Sequence, residues 1–189
     1  MHEPGARPHR PTAEDAYRCA RKAFLSGRRV DMGGVSSSLG VNRATVFRWV
    51  GSREDLLLQV LWTLADRVLA EARASTDAVG GERVVQVVSR FLELVLEHPG
   101  MRVFLRDEGE LAMRLLTRAD RGFQPRLVVA VEELLEQEVA AGRLRLEADV
   151  REVAFVVVRL IETYTYLDLL TGETPDPHRA VPILRMLLR

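Results

Sequence analysis

Four side chains that suit phosphate or base contact lie within seven residues: Arg43, Thr45, Arg48 and Trp49. A guanidinium presents five N–H donors in a planar fork that matches phosphate oxygens or the O6/N7 edge of guanine. Threonine offers a hydroxyl and a methyl group, and the indole of Trp49 offers one N–H donor. Asn42 stands directly before them and reads first as a helix cap, with base contact the lesser role. Arg53 lies just after them, beside the start of another helix, where side chain and helix end together favour an anion. Arg43 and Arg48 have two options, base edges or backbone phosphates, and most protein–DNA hydrogen bonds go to the backbone.

No comparable grouping supports catalysis. His2, His9, His98 and His178 are far apart and lack metal-ligand spacing. There is no phosphate-binding glycine loop and no nucleophile elbow. Cys19 has no evident base nearby and reads as a small core residue. Glu132 and Glu133 sit on an amphipathic helix as a solvated face. The sequence therefore predicts a protein that is not an enzyme and needs no cofactor.

Charge distribution supports the nucleic-acid reading. The 189-residue chain has zero formal net charge, but through Arg53 it carries 10 Lys/Arg against 4 Asp/Glu. From Glu54 onward the counts are 17 against 23. A basic head on an acidic body can draw DNA phosphates to one end. The apolar run Val153–Val158 is stopped by Arg159, too short to span a membrane. The first residues lack a signal-peptide core, and the single cysteine suits a reducing compartment, so the expected location is the cytoplasm with no membrane partner.

These side chains require helices to hold them. Residues 1–11, with three prolines, read as a flexible arm. Thr12 caps a first helix that Ser26-Gly27 ends, and Asp31 caps a second that runs to about residue 39. Gly40-Val41 forms a break, Asn42 caps a third helix over 43–50, and Ser52 caps a fourth that reaches about residue 74. Val35 and Leu39, with Val46 and either Phe47 or Val50, supply a small core against the first helix. Further helices are predicted over 82–97, 101–107, 110–117, 125–142, 149–170 and 179–188. No stretch alternates with period two, so the fold class is all-α. The expected division is a three-helix helix-turn-helix over 12–52 and a helical ligand-binding and dimerisation domain over 53–189.

The segment 31–56 resembles the helix-turn-helix of the TetR family of repressors. That family has an apolar residue and Ala in its second helix, a Gly-Val turn, a Ser/Thr-rich start, an aromatic pair and Gly-Ser-Lys-Glu-Asp-Leu. Here those places hold Val35-Ser36, Gly40-Val41, Asn42 to Thr45, Phe47 with Trp49, and Gly51-Ser52-Arg53-Glu54-Asp55-Leu56. The ending, a long helix, the TGETPDP loop and a short last helix, resembles the QsdR-like subgroup of that family. Phe47 departs from the usual Tyr and loses its hydroxyl, and Trp49 replaces His. Gly33, Gly34 and Ser36 to Ser38 make the second helix intrinsically weak.

The resemblance implies a ligand-released repressor that binds a palindromic double-stranded operator as a homodimer. Its DNA-contact candidates are Asn42, Arg43, Thr45, Phe47, Arg48, Trp49 and Arg53. Middle helices of such proteins enclose an effector, here an acyl-homoserine lactone or related acyl compound if the subgroup resemblance holds. The candidate effector contacts are Phe91, Phe104, Met113, Phe123, Phe155, Arg159, Glu162 and Tyr164. Arg159 and Glu162 have three options: orienting a polar ligand head, pairing at an interface, or facing solvent. The competing reading is a helical protein-interaction module whose head no longer binds DNA.

Overall fold

The computed structural model describes residues 10–189, so most of the predicted arm, 1–9, lies outside the described residues. Among the described residues every regular element is helical, and the fold is all-α. The head comprises α1 (Ala13–Leu25), α2 (Met32–Leu39) and α3 (Arg43–Val50). The body comprises α4 (Arg53–Ala74), α5 (Gly80–Glu97), α6 (Pro99–Thr117), α7 (Phe123–Ala140), α8 (Val150–Thr165), α9 (Leu167–Thr171) and α10 (Ala180–Leu187). No described helix is long and apolar enough to cross a membrane.

Local chemistry starts the head helices where the sequence places them. Thr12 and Asp15 form a reciprocal capping box at α1. Asp31 Oδ1 and Oδ2 accept from the Gly33 and Gly34 N–H groups at 2.7 and 3.0 Å. The Gly34 bond, followed by the Gly33 bond, holds the Asp31 carboxyl below its ordinary range. Asn42 Oδ1 accepts from Ala44 N–H at 2.8 Å, and Ser52 with Asp55 forms a second capping box at α4. Between α2 and α3 the chain reverses through Gly40 at φ 63°, ψ 31°, the left-handed region that glycine enters without a Cβ penalty.

The head core is small: Ala16, Ala20 and Phe24 of α1 meet Val35, Val46 and Val50. Val46 and Val50, one helical turn apart, are the α3 residues that turn inward. Burial of each stabilises the head by about 1.5–3 kcal/mol. Phe47, the alternative inward candidate, is instead 44% exposed. It lies 100° around the helix from Val46, off the stripe that faces α1.

In the body α5 is the central helix, in contact with α4, α6, α7, α8 and α10. Its start lacks a cap from its own segment. Glu138 of α7 supplies one, accepting from Gly80 N–H at 2.8 Å and from Arg143 at 2.7 and 3.1 Å. That carboxylate is 2% exposed, with Arg83 also 3.4 Å away. The Arg143 guanidinium, more than any other neighbour, holds its pKa below the ordinary glutamate value.

Residues 99–117 are helical with a kink where Glu108 leaves helical geometry at φ −135°, ψ 36°, so the pieces expected over 101–107 and 110–117 meet at a bend. The helix predicted over 149–170 breaks at Tyr166, whose ring is buried and whose hydroxyl donates to the Ala112 carbonyl at 3.4 Å. Thr163 and Thr165 donate to the carbonyls four residues back just before this break, a pattern that disturbs helices.

Head and body are joined along α4, about 33 Å long at 1.5 Å per residue, and through the start of α6. Gly100 lies so close to α1 that a Cβ there would sit 2.2 Å from the Phe24 carbonyl oxygen. The His98 ring stacks on Phe24 at 6.0 Å, and Phe104 meets the same ring edge-on.

Candidate functional site

The first candidate site is the outer face of α3. Asn42, Arg43, Phe47 and Arg48 are exposed, while Thr45 and Trp49 are half-buried. Asn42, Thr45, Arg48 and Trp49 line one side of an open groove whose other side is Arg10, Pro11, Thr12 and Ala13. Burying Val46 and Val50 forces this arrangement, since the intervening residues must then point away from the core. A second groove, between α1 and α2, carries Arg18, Lys22, Arg28 and Arg29. The exposed α3 face thus combines two guanidiniums, a hydroxyl, an indole and an aromatic ring on a short rod whose other side is fixed by packing. Such a rod can enter a nucleic-acid groove.

Arg53 occupies a different position from its six companions. Its Nε donates to the Val30 carbonyl and its Nη2 to Glu108 Oε1 at 2.7 Å. Arg29 also approaches the other Glu108 oxygen at 3.4 Å. The kink in α6 is therefore the point where Glu108 meets Arg29 of the head and Arg53, the first residue of α4, which itself holds the Val30 carbonyl of the head. A parallel contact joins Glu54, at the start of α4, to Arg114 at 2.7 Å and Arg121 at 2.6 Å. The Arg114 hydrogen bond is the main reason the Glu54 pKa is lowered. The partners of Arg53 and Glu54 lie 23 to 67 positions away in sequence, which is why the sequence alone places Arg53 beside phosphate.

The second candidate site is a cavity of about 50 Å³ within the body. Its wall is built by Leu61, Leu64 and Ala65 of α4, Phe91 and Val95 of α5, Met101 and Leu116 of α6, and Phe123 and Leu127 of α7. Ile161, Glu162, Thr165 and Tyr166 close it from the end of α8. Of the eight candidate effector contacts, Phe91, Phe123 and Glu162 stand on this wall. The other five lie elsewhere. Phe104 packs on Phe24 at the head–body junction. Phe155 is exposed, with the Arg159 guanidinium 4.8 Å from its ring centre. Met113 and Tyr164 are partly buried against the core. The α4 wall was not foreseen; its signal was the apolar stripe of a helix long enough to serve both head and body.

Among the described residues no cluster of three His, Cys, Asp or Glu side chains is arranged to hold a metal ion.

Comparison with known proteins agrees with this architecture. A family model of tetracyclin repressor-like C-terminal domains matches residues 79–189. No curated protein matches the chain. Among solved structures, the TetR-family transcriptional repressor QsdR of R. erythropolis is similar with a TM-score of 0.83 and 25% identity, covering 93% of each chain. The transcriptional regulator FadR of Bacillus subtilis, solved with stearoyl-CoA, has a TM-score of 0.60 at 13% identity, covering 93% of this chain and 97% of FadR. The repressor AlkX of Dietzia sp. strain DQ12-45-1b has a TM-score of 0.57 at 22% identity, covering 95% of this chain and 98% of AlkX; these last two share the fold. With more than half of its length matched by the family model and a basic helix-turn-helix ahead of it, the chain belongs to the TetR family of transcriptional regulators.

Proposed function

We propose that the protein is a non-enzymatic, ligand-released repressor that binds a palindromic operator as a homodimer. The observation that carries this reading is the exposed α3 face, Arg43, Thr45, Phe47, Arg48 and Trp49, held on a head clamped to a body with its own apolar cavity. Asn42 serves chiefly as the α3 cap. Arg43 and Arg48 contact DNA from α3, and Arg53 joins them when its grip on Glu108 is released. A homodimer would form on α8 and α10, where Phe155, Val156, Ile183 and Met186 leave large apolar surface exposed. Twofold symmetry would present two recognition helices to successive major-groove turns. An apolar effector in the cavity would act by favouring one setting of α4 and α6, both of which line it and both of which touch the head.

The test is fluorescence anisotropy on operator fragments recovered by genomic selection. Affinity should fall steeply as salt rises, following counterion release. Arg48→Ala should weaken binding by about 1–3 kcal/mol if it reads a base, and relax preference at a single operator position. Unchanged binding by Arg48→Ala would reject its role. The exposed, hydroxyl-free ring of Phe47 favours a second reading, a helical protein-interaction module with a non-binding head. Salt-insensitive association, or none, with every recovered fragment would favour that reading.

A further inference from the structure

The polar atoms on the cavity wall restrict what the cavity can accept. Thr165 uses its hydroxyl proton on the Ile161 carbonyl at 2.8 Å, and Tyr166 uses its own on the Ala112 carbonyl. The walls from α4, α5, α6 and α7 contribute only apolar side chains. Apart from the Glu162 carboxyl when it is protonated, no side-chain donor on the wall is therefore left for a ligand's carbonyl or carboxylate. Acceptor capacity does remain. Glu162 gives Oε2 to Arg159 at 2.7 Å, and its Oε1 is buried with no hydrogen-bond partner. A buried unpaired carboxylate oxygen is costly, and a donor brought to it recovers that cost. Compensation from Arg159 is incomplete: its guanidinium is 39% exposed and reaches only Oε2, and its own buried Nε also lacks a partner, while Glu162 is 12% exposed.

We propose that the effector of this cavity is an apolar cation, a compact hydrocarbon body with one protonated amine whose N–H groups bond to Glu162. This inference rests on the cavity being the effector site. Above pH 7 an anionic ligand meets a carboxylate and no free wall donor, so carboxylates are disfavoured there. The cavity is smaller than the roughly 150 Å³ space that holds a benzene molecule, so the ligand is small or the flexible Met101 moves aside for it. Desolvation outweighs Arg159 and pushes the Glu162 pKa up to about 7. Arg159 is the charge acting on Glu162, and Tyr166 is its other titratable neighbour. Amine binding should therefore strengthen as pH rises through 7, where Glu162 becomes an anion. A neutral acceptor ligand, which needs the carboxyl proton, should do the opposite.

The experiment is calorimetry on the full chain with hexylamine, hexanol, hexanoate and N-hexanoyl-homoserine lactone at pH 6 and pH 8. Hexylamine is expected to bind at least tenfold more tightly than the other three at pH 8, and more weakly at pH 6. Glu162→Gln, which is isosteric, should remove the amine preference and the pH dependence. A circular dichroism spectrum and melting transition like the parent's show that the variant is folded. The ligand class is overturned if hexanoate or the lactone binds best, or if the amine preference survives in Glu162→Gln. The pH series on the unmodified chain decides the matter should the variant fail to fold. Binding of none of the four would overturn the cavity as an effector site together with this inference.

Discussion

Replacing Glu108 with glutamine probes the contact at the junction between the body and the DNA-binding head. Arg53 is 20% exposed and Glu108 16% exposed, so their 2.7 Å contact is largely shielded from water. A charge-assisted hydrogen bond of this kind contributes about 1.5–3 kcal/mol. Glutamine keeps an acceptor oxygen but loses the charge, so about 1–2 kcal/mol should be lost. The Arg29 contact, on a side chain 69% exposed, adds little. For a chain of this size the loss lowers the melting temperature by about 2–8 °C. DNA affinity should change in the opposite direction. Two arginines released from a carboxylate become available to phosphate, and each that takes one steepens the logarithmic salt dependence by about 0.9. Calorimetric melting and operator anisotropy from 50 to 300 mM salt, on the order of the usual working range, measure both. A Glu108→Gln protein with unaltered melting and an unaltered salt slope would refute the idea that Glu108 competes with DNA for these arginines.

Glu138→Ala should be far more damaging, destabilising by about 3–5 kcal/mol, because it leaves Gly80 N–H and Arg83 without their shared partner; chemical denaturation measures it. His98 accepts from Gly100 N–H through Nδ1 at 3.1 Å, and burial lowers its pKa below 6.5. The unfolded chain then binds the proton more readily, so stability falls as pH drops through 6.5 and levels off once the folded-state pKa is passed. His98→Asn, which keeps a capping acceptor without titrating, should flatten that part of the stability–pH curve; a curve as steep as the parent's would exclude His98 as its source. Phe155→Glu combined with Met186→Glu should shift sedimentation toward monomer and weaken operator binding together, whereas an unchanged dimer would place the interface elsewhere.

Much of the head was legible from residues two or three apart. Thr12, Asp31, Asn42 and Ser52 each cap a helix through atoms within the same turn, and Gly40 supplies a left-handed residue between two short helices. Such interactions are complete within a few residues, so amino-acid order alone determines them. The choice between Phe47 and Val50 as the inward residue of α3 required α1 to be in place. Arg53 has the same charge and the same helix-start position whether it serves phosphate or Glu108. Its partner lies 55 residues further along the chain, so only the packing of α6 on the head selects one. The cavity follows the same rule. Helical spacing marked Phe91 and Phe123 as cavity candidates and left Glu162 open between ligand, interface and solvent, but the α4 wall, the burial of Tyr166 and the unpartnered Glu162 oxygen depend on how five helices meet. Local hydrogen bonding determined where helices begin and turn. Long-range packing decided which charges are compensated, because desolvation and Coulomb energy depend on neighbours that sequence order does not bring together.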